Sequence, residues 1–467
     1  MFALQVILGL ILCIGALLWW WQRSARLYWE KNGVSYIPGP PFIGALKDCL
    51  TFRKSIGELL LDIYNHEKFK DDPVTGVYFF HEPILVIRHP ELIKNILVKD
   101  FPNFMDRGVN GDTYHDLIAT DNLFVVKGHR WQTIRNKLSP VFTTGKLKNL
   151  FLLMVNVTKI LEQKLETEIG DQSKEYEMKE FASFFSTDTI ALCAFGVQLA
   201  TLFRFALFSK ETNEFLRSSV NCVMEERIKS GSKRNDLIDA LIAMREEDSD
   251  LFKGDTLVAQ AAAFIIAGYE SSSSAIAFAL YELAQNQEIQ EKLRKEIKSY
   301  IEKYESIQYE TVHEMKYLHC VVQEIFRLYP SLPFLERICT PTDGKSTYSL
   351  EPYHKFAVPS GMSVYIPLLA IHRDPNYFPD PMKFIPERFD STSWDLAHQN
   401  AFMAFGLGPR SCIGSRFGYL QVKLALITIL RNYLVEASER TPKTIKLDKK
   451  AIVIRSQEPL YLNLIRI

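Results

Sequence analysis

One segment decides the fold of this 467-residue chain: Phe405-Gly406-Leu407-Gly408-Pro409-Arg410-Ser411-Cys412-Ile413-Gly414. Its glycines let the backbone approach a flat, bulky group, because glycine has no Cβ. Cys412 stands just before a helical pattern, and a helix N-terminus favours a thiolate over a thiol. A thiolate among glycines, with Arg410 able to pair with an anion, suits axial ligation of haem iron. The alternative, a buried cysteine acting as a small hydrophobe, explains neither the glycines nor Arg410.

The same ten residues carry a family pattern. They match Phe-x-x-Gly-x-Arg-x-Cys-x-Gly at Phe405, Gly408, Arg410, Cys412 and Gly414. On this pattern the chain resembles the cytochrome P-450 superfamily, whose fold is mostly α with small β-sheets in a single large haem-thiolate domain. The resemblance implies haem b as the cofactor and Cys412 as the ligand of its iron. It also implies cofactor-binding roles for Phe405, Gly408 and Arg410.

Two further motifs strengthen the resemblance. Glu324-Ile325-Phe326-Arg327 places an acid and a base at i and i+3 of a helix, where the side chains can pair. Pro386-Glu387-Arg388-Phe389 matches the family segment whose arginine joins that pair. The resemblance therefore implies a structural Glu324–Arg327–Arg388 network beneath the haem-ligand loop.

The resemblance also implies residues that bind the haem propionates. Trp131 and Arg135, in the spacing Trp-x-x-x-Arg, match the helix that reaches a propionate in the family. The planar fork of arginine suits a carboxylate, and the tryptophan Nε1–H can only donate. Arg337 and Arg107 stand where the family often has further propionate ligands. The alternative for these two is a solvated surface arginine.

Oxygen activation is implied for Ala267-Gly268-Tyr269-Glu270-Ser271-Ser272, inside a long apolar helical pattern. Gly268 removes bulk, so that dioxygen and water could lie beside the helix. Glu270 is a lone acid in an apolar run, which a proton relay would explain; the alternative is a glutamate that reaches solvent or a salt bridge. Ser271 stands where the family usually has threonine. Its hydroxyl still donates and accepts, so we expect a working but looser relay.

The composition excludes several classes of protein. The chain is 47% hydrophobic and 24% charged, with 55 basic and 55 acidic residues. This excludes a disordered chain and argues against a nucleic-acid partner, which usually requires a basic footprint. Seven scattered cysteines without a Cys-x-x-Cys pair predict neither disulfides nor a zinc ribbon, and they indicate a reducing compartment.

The N-terminus predicts a membrane anchor. Residues 2–21 carry no charge and end in three tryptophans, and the first basic residues follow them. About 20 apolar residues cross a bilayer, and the positive-inside rule leaves the body in the cytosol. A cleaved signal peptide fits less well, because no basic region precedes the run. We expect an anchor at residues 1–22, a basic, proline-rich hinge at 23–41 and a catalytic domain at 42–467, on the endoplasmic reticulum membrane.

Periodicity predicts the regular elements. Short apolar runs at 75–80 and 84–87 predict a hairpin, the region 330–389 predicts strands and loops, and a terminal hairpin has Pro459 near its turn. Helices are predicted at 91–98, 146–168, 211–229, 255–286, 289–305, 311–328 and 415–434.

One stretch departs from the family. The chain between Trp131 and Glu270 is several tens of residues shorter than in the microsomal insect detoxification-type members that it resembles. The F helix and F–G loop, which roof the substrate pocket in that family, are expected to be missing between Gln198 and Phe203. A shortened transcript, an erroneous gene model and a true loss all remain compatible with the sequence.

These features predict a haem-thiolate monooxygenase that inserts one oxygen atom of O2 into small lipophilic substrates. Electrons would come from an NADPH-dependent reductase, with cytochrome b5 as a second possible partner. The alternatives are a catalytically impaired haem-binding isoform with an incomplete pocket and a haem-thiolate isomerase. Apolar pocket residues are expected at Phe264, Ile265, Ala267, Leu332, Pro333 and Phe334. A basic docking face for the reductase is expected at Lys127, Arg130, Lys137, Arg416 and Lys423.

Overall fold

The computed structural model describes residues 2–109, 117–195, 210–234, 236–248, 252, 254–304, 306–390 and 396–467. Most of these residues are helical. The α-helices are α1 Phe2–Arg26, α2 Tyr28–Lys31, α3 Lys47–Leu50, α4 Ile56–Tyr64, α5 Pro90–Lys94, α6 Leu117–Thr120, α7 Gly128–Leu138, α8 Thr144–Ile169, α9 Met178–Ile190, α10 Lys210–Ser230, α11 Leu237–Glu247, α12 Thr256–Gln285, α13 Gln287–Tyr304, α14 Tyr309–Glu314, α15 Lys316–Leu328, α16 Leu368–His372, α17 Leu396–Ala401 and α18 Ser415–Leu430. The strands are β1 Val74–Phe79, β2 Glu82–Ile87, β3 Ser173–Glu177, β4 Leu335–Ile338, β5 Thr347–Ser349, β6 Ala357–Pro359, β7 Ser363–Ile366, β8 Tyr433–Ala437 and β9 Tyr461–Arg466.

The helix α12 forms the centre of the core. It packs along α9 and also touches α6, α15 and α18. Its residues 256–262 and 272–281 are buried, as expected for a helix that is apolar nearly all round. Between them, residues 263–271 are only partly covered, and Ala267 is exposed. The middle of the central helix therefore borders open volume inside the fold.

Three small sheets frame the helices. The first has the order β1-β2-β7-β4, the second β3-β9-β8 and the third β5-β6. Strands β1 and β2 form an antiparallel hairpin in which Val74 pairs with Ile87 and Phe79 with Glu82. Strand β4 pairs antiparallel with β7 and carries Arg337 opposite Val364. The first sheet thus brings Arg337 to the side of the molecule formed by the N-terminal hairpin.

The predicted elements agree with this architecture, with three differences. The helix expected at 91–98 is α-helical only to Lys94 and continues as the π-helical turn Asn95–Lys99. The predicted hairpins occur as β1–β2 and as the antiparallel pair β8–β9. The helix expected at 311–328 is divided into α14 and α15 at Met315, whose ψ of 91° is extended. The last helix ends at Leu430 rather than 434, because Tyr433 already pairs with Arg466 in the second sheet. The expected loss of the F helix, between 198 and 203, lies outside the described residues.

The N-terminal apolar segment forms the helix α1. Its large apolar side chains are exposed, including Leu12 at 68%, Leu17 at 64% and Trp20 at 64%. By length and composition, α12 is the one helix in the described part of the chain that could cross a membrane, and most of its residues are buried in the core. The membrane role of α1 stays a prediction.

Candidate functional site

The cysteine loop is shaped by two glycines with left-handed backbone. Gly406 has φ +74° and Gly408 has φ +70°, a region that residues with a Cβ rarely adopt. A Cβ on Gly408 would lie 1.9 Å from the carbonyl oxygen of Leu97, in the π-helical turn Asn95–Lys99. The backbone N–H of Cys412 donates to the carbonyl oxygen of Phe405 at 2.8 Å. The loop is therefore a tight turn that delivers Cys412 to the start of α18.

The Cys412 side chain is accessible to solvent, although protein atoms surround its sulfur on many sides. The sulfur therefore borders open volume inside the fold. Burial raises the pKa of Cys412, while the Gly414 backbone, Arg135 and Arg107 act to lower it. The helix start therefore acts in the direction expected from the sequence, but burial outweighs it. A cation bound at the sulfur, such as haem iron, would favour the thiolate.

Arg410 organises the surroundings of the loop. Its Nε donates to the carbonyl oxygen of Met105 at 2.9 Å and its Nη2 to that of Val126 at 2.8 Å. Its guanidinium lies 4.3 Å from the ring centre of Trp131, a cation–π distance. Trp131 is buried between Arg410 and Phe101. Arg410 thus fixes the segment before α7 against the cysteine loop.

Arg107 and Arg337 meet beside this loop with unused donors. Arg337 is 1% exposed and donates Nη1 to the carbonyl oxygen of Glu336 at 2.7 Å. Within the described part of the chain, Nε and Nη1 of Arg107 and Nε of Arg337 are buried without a hydrogen-bond partner. Burial lowers the pKa of both arginines, and the charge of Arg337 lowers the pKa of Arg107 further. The alternative of solvated surface arginines is therefore wrong for these two residues.

Arg135 is the fourth arginine of this group. It is half-buried, and burial lowers its pKa while Cys412 raises it, which places it within electrostatic reach of the sulfur. It lines a groove of about 590 Å³ together with Trp131 and Pro409. Arg107, Arg135, Arg337 and Arg410 thus concentrate positive charge around one thiol.

This arrangement fits haem. Unsatisfied buried arginine donors are costly, and two carboxylates would satisfy them by charge-assisted hydrogen bonds. Haem brings two propionates and an iron that binds a single thiolate. No group of three or more histidine, cysteine or acidic side chains that could hold a metal ion by themselves occurs among the described residues. Cys412 would ligate the iron, while Arg107 and Arg337 would bind propionate.

The network beneath the loop is present. Arg327 binds the Glu324 carboxylate through Nε at 2.6 Å and Nη2 at 2.8 Å, and both side chains are fully buried. Arg388 Nε donates to the same carboxylate at 3.0 Å. Removing any one of these three side chains would leave a buried charge without its partner, which is strongly destabilising.

His372 connects this network to the cysteine loop. It is fully buried, and its Nε2 accepts from the backbone N–H of Met403 at 3.0 Å. Its Nδ1 lies 3.2 Å from the carbonyl oxygen of Arg327. The carbonyl oxygen of Met403 in turn accepts from Gly406 N–H at 2.7 Å. His372 therefore transmits the position of α15 to the turn that carries Cys412.

Comparison with known proteins agrees with this geometry. The family model described as "Cytochrome P450" matches residues 38–220 and 204–464. The chain belongs to the cytochrome P450 family. It is a haem-binding monooxygenase, an oxidoreductase.

The relatives are insect members of the family. The chain is 39% identical over 492 residues to "Probable cytochrome P450 6g2" of Drosophila melanogaster, with 94% of each chain covered. It is 39% identical over 504 residues to "Probable cytochrome P450 6w1" of the same species, covering 97% of each. It is 37% identical over 475 residues to "Cytochrome P450 6j1" of Blattella germanica, covering 94% of this chain and 93% of that protein. The resemblance to insect detoxification-type members is thereby confirmed.

The oxygen-activation motif of this P450 lies on the uncovered middle of α12. The Glu270 carboxylate pairs with Lys179 Nζ of α9 at 3.1 Å, the salt bridge that was the alternative to a relay. Lys179 Nζ also donates to the hydroxyl oxygens of Ser273 and Ser274, both at 2.7 Å. Ser271 Oγ donates to the carbonyl oxygen of Ala267 at 2.5 Å. The roles of Glu270 and Ser271 in proton transfer stay predictions.

Gly268 has a different role from the one expected. A Cβ at this position would lie 2.2 Å from Cδ1 of Ile190 on α9. The missing side chain therefore lets α9 and α12 approach closely, and the space beside Gly268 is filled by Ile190 rather than by dioxygen or water.

Two other expectations need correction. Lys423 is 5% exposed and donates Nζ to the carbonyl oxygen of Val312 at 3.0 Å, so it lies in the core and not on a docking face. Pro333 is buried against Gly57 of α4, where a Cβ would lie 2.5 Å from the Pro333 Cβ, so it packs the fold instead of lining a pocket. Both errors arise because an apolar or basic segment does not reveal which way each side chain points.

Sequence reasoning missed Lys179, His372 and Glu336. Lys179 and His372 act through partners more than 30 residues away, and no local spacing reveals them. Glu336 had a signal, since it directly precedes Arg337 in the same short strand.

Proposed function

We propose that this P450 inserts one oxygen atom of O2 into small lipophilic substrates held against the middle of α12. One observation carries the proposal: Phe142 joins the two sides of the site. Its ring stacks on Phe264 of α12 at 5.5 Å, and it lies 3.7 Å from the Cβ position of Gly414 in the cysteine loop. An apolar surface thus runs from α12 to the loop that carries Cys412.

Bound haem supplies the dioxygen chemistry, with Cys412 donating electron density to the iron. The protein supplies the apolar surface of Phe264, Ile265 and Ala267, which favours a lipophile by burying its surface. Ser271 supplies a hydroxyl on the uncovered face of α12. To pass a proton, this hydroxyl turns from the Ala267 carbonyl oxygen, and Glu270 exchanges protons with solvent beside Lys179.

Electrons come from an NADPH-dependent flavoprotein reductase, with cytochrome b5 as a second donor. Of the basic residues expected on the docking face, Arg416 and Lys127 are exposed. Arg130 is paired with Asp121 at 2.6 Å and Lys137 with Glu247, so their charge is partly neutralised. The docking face consequently carries less positive charge than the sequence indicates. Electrostatic steering of the reductase towards this face is therefore modest.

The site of action is the endoplasmic reticulum membrane. The exposed apolar length of α1 supports an anchor that leaves the body in the cytosol. Three more phenylalanines support contact of the body with lipid: Phe42 is 46% exposed, Phe52 57% and Phe80 48%. All three have positive φ, which is unusual for bulky residues. Phe80 N–H donates to the carbonyl oxygen of Ile43, so Phe80 lies beside the turn that carries Phe42.

The test of this function is turnover. The full-length chain is reconstituted with an insect reductase, NADPH and a panel of lipophiles, and product is measured by mass spectrometry in 18O2. Incorporation of one 18O atom per product is expected. A chain that binds haem but forms no product from any lipophile, while accepting electrons, would contradict the proposal.

A second function, an impaired haem protein with an incomplete pocket, is favoured by one observation. The alignment with the first Drosophila relative spans 492 residues, more than the 467 of this chain, so it contains positions that this chain lacks. These positions would include the F helix and the F–G loop. Inserting that segment from a relative between Ala200 and Phe203 distinguishes the two functions. A large gain in haem retention and substrate selectivity supports impairment, whereas unchanged values support the intact enzyme.

A further inference from the structure

The carboxylate of Glu336 is bound by the backbone of the loop that carries Arg107. Gly108 N–H donates to Glu336 Oε1 at 2.6 Å and to Oε2 at 2.7 Å. Glu336 is 8% exposed and directly precedes Arg337 in β4. Glu336 is therefore adjacent in the chain to Arg337 and hydrogen-bonded to Gly108, the residue that follows Arg107. It connects the two arginines whose donors are unsatisfied.

The loop is held on both sides of Arg107. Before it, the carbonyl oxygen of Asp106 accepts from Ile338 N–H at 2.8 Å, and its Oδ1 accepts from Gly128 N–H at 2.7 Å. After it, Gly108 is bound by Glu336, and a Cβ on Gly108 would lie 2.0 Å from Glu336 Oε1. Only glycine allows this approach. Arg107 thus projects from a short backbone segment that β4 clamps at both ends.

The charge of Glu336 also offsets the repulsion between Arg107 and Arg337. Arg337 lowers the pKa of Arg107, whereas Glu336 acts in the opposite direction on the pKa values of both arginines. Both of its oxygens accept from the Gly108 N–H, and the buried arginine nitrogens without a partner do not bond to them, so Glu336 contributes charge without occupying those donors. As far as the structure describes the chain, Nε and Nη1 of Arg107 and Nε of Arg337 stay without a partner.

We propose that Glu336 is a positioning residue, which holds Arg107 and Arg337 together and leaves their donors available for the haem propionates. The proposal rests on the haem assignment but not on the substrate class or on turnover. The carboxylate of Glu336 binds the Gly108 backbone, and it acts through the two arginines.

The experiment measures the rate at which the full-length holoprotein transfers haem to excess apomyoglobin. Glu336→Ala removes the acceptor of the Gly108–Glu336 contact, and Gly108→Ala places a Cβ in it. Both are expected to raise the rate of haem transfer about tenfold or more. Glu336→Gln keeps the acceptor for Gly108 but removes the charge, so an intermediate increase is expected. Glu162→Gln is the matched control: it alters a partly buried acid that pairs with Arg431 at the end of α18, and it should leave the rate unchanged.

A second arm separates positioning from general destabilisation. The wild type and Glu336→Gln are reconstituted with haem whose propionates are methyl esters. If Glu336 acts through the propionate ligands, the difference between the two proteins disappears with the ester. The proposal is overturned if Glu336→Gln transfers ordinary haem at the wild-type rate, or if the difference persists with the ester. Absence of the thiolate-type CO spectrum in the wild type would instead refute the haem assignment itself.

Discussion

Arg327 and His372 are joined by reciprocal contacts: Arg327 Nη1 donates to the carbonyl oxygen of His372 at 2.8 Å, and His372 Nδ1 lies 3.2 Å from the carbonyl oxygen of Arg327. The other ring nitrogen accepts from Met403 N–H, so Nδ1 carries the proton and donates. The hydrogen bonds therefore assign the neutral tautomer. This pair links the buried arginine network to the loop that carries Cys412.

The first prediction concerns pH. Burial, together with the charge of Arg327, lowers the pKa of His372 to about 3. A histidine whose pKa is lower in the folded state stabilises the fold above its unfolded pKa, near 6.5, and this stability is lost as pH falls towards 3. His372→Gln should flatten the decline of unfolding free energy over that range, by at most about 1.4 kcal/mol per pH unit.

The measurement is urea unfolding followed at several pH values. His319→Gln tests the same linkage at a second site, because burial also lowers the pKa of His319, to about 4, and it should flatten the decline as well. His66→Gln, at an exposed histidine, is the control. In addition, His372→Gln should weaken haem retention, whereas His66→Gln should not. An identical pH slope in the wild type and His372→Gln would refute this account.

The second prediction concerns the iron ligand. Cys412→Ala and Cys412→His should both abolish the red-shifted Soret band of the reduced CO complex, because that band requires thiolate ligation. Cys339→Ala, at a buried cysteine that packs in the core, is the control and should keep the band. Survival of the band in Cys412→Ala would show that another residue binds the iron.

The third prediction concerns the contact of α9 with α12. Gly268→Ala should destabilise the fold by about 1–3 kcal/mol, because the new methyl overlaps Cδ1 of Ile190. Ile190→Val removes that atom, and the double variant should recover most of the loss, helped by the better helix propensity of alanine. Thermal unfolding of the wild type, the two single variants and the double variant measures the interaction free energy between the two positions. Additive effects of the two substitutions would exclude direct contact between these side chains.

The fourth prediction concerns proton delivery. Ser271→Ala removes the hydroxyl and should raise the peroxide released per NADPH consumed, whereas Ser271→Thr should lower it by restricting the side-chain rotamers. Ser272→Ala is the control, since Ser272 is buried one residue further along α12. Peroxide and NADPH are measured in the same reaction. Equal coupling in the wild type and both Ser271 variants argues against a relay.

The fifth prediction concerns the membrane. Deleting residues 2–26 should reduce binding to phospholipid vesicles without abolishing it, because Phe42, Phe52 and Phe80 remain exposed. Adding Phe42→Ser, Phe52→Ser and Phe80→Ser to the deletion should remove the remaining binding. Phe184→Ser, at a 41% exposed phenylalanine on α9, is the control. Protease should also digest the body in intact microsomes, and protection of residues 31–467 would refute a cytosolic body.

The sequence by itself determined the features that lie within one stretch of chain. Spacings of a few residues predict the cysteine loop, the Glu324–Arg327 pair and the apolar length of α12. Such spacings are informative because local backbone geometry determines which nearby residues share a face. The family pattern then implied the haem, its ligand and the arginines around it. The strands β1 and β2 and the bounds of the long helices α8, α10, α12 and α13 were predictable for the same reason, whereas helices such as α4, α9 and α11 were not predicted.

Only the tertiary structure decided which side chains meet across elements. Lys179 pairs with Glu270, Ile190 fills the space beside Gly268, Glu336 binds Gly108, and Lys423 points into the core. Periodicity identifies the buried face of a helix, but the neighbour on that face depends on how distant segments pack. The pKa of Cys412 shows the same division: the helix start is visible in the sequence, whereas the burial that outweighs it belongs to the whole fold.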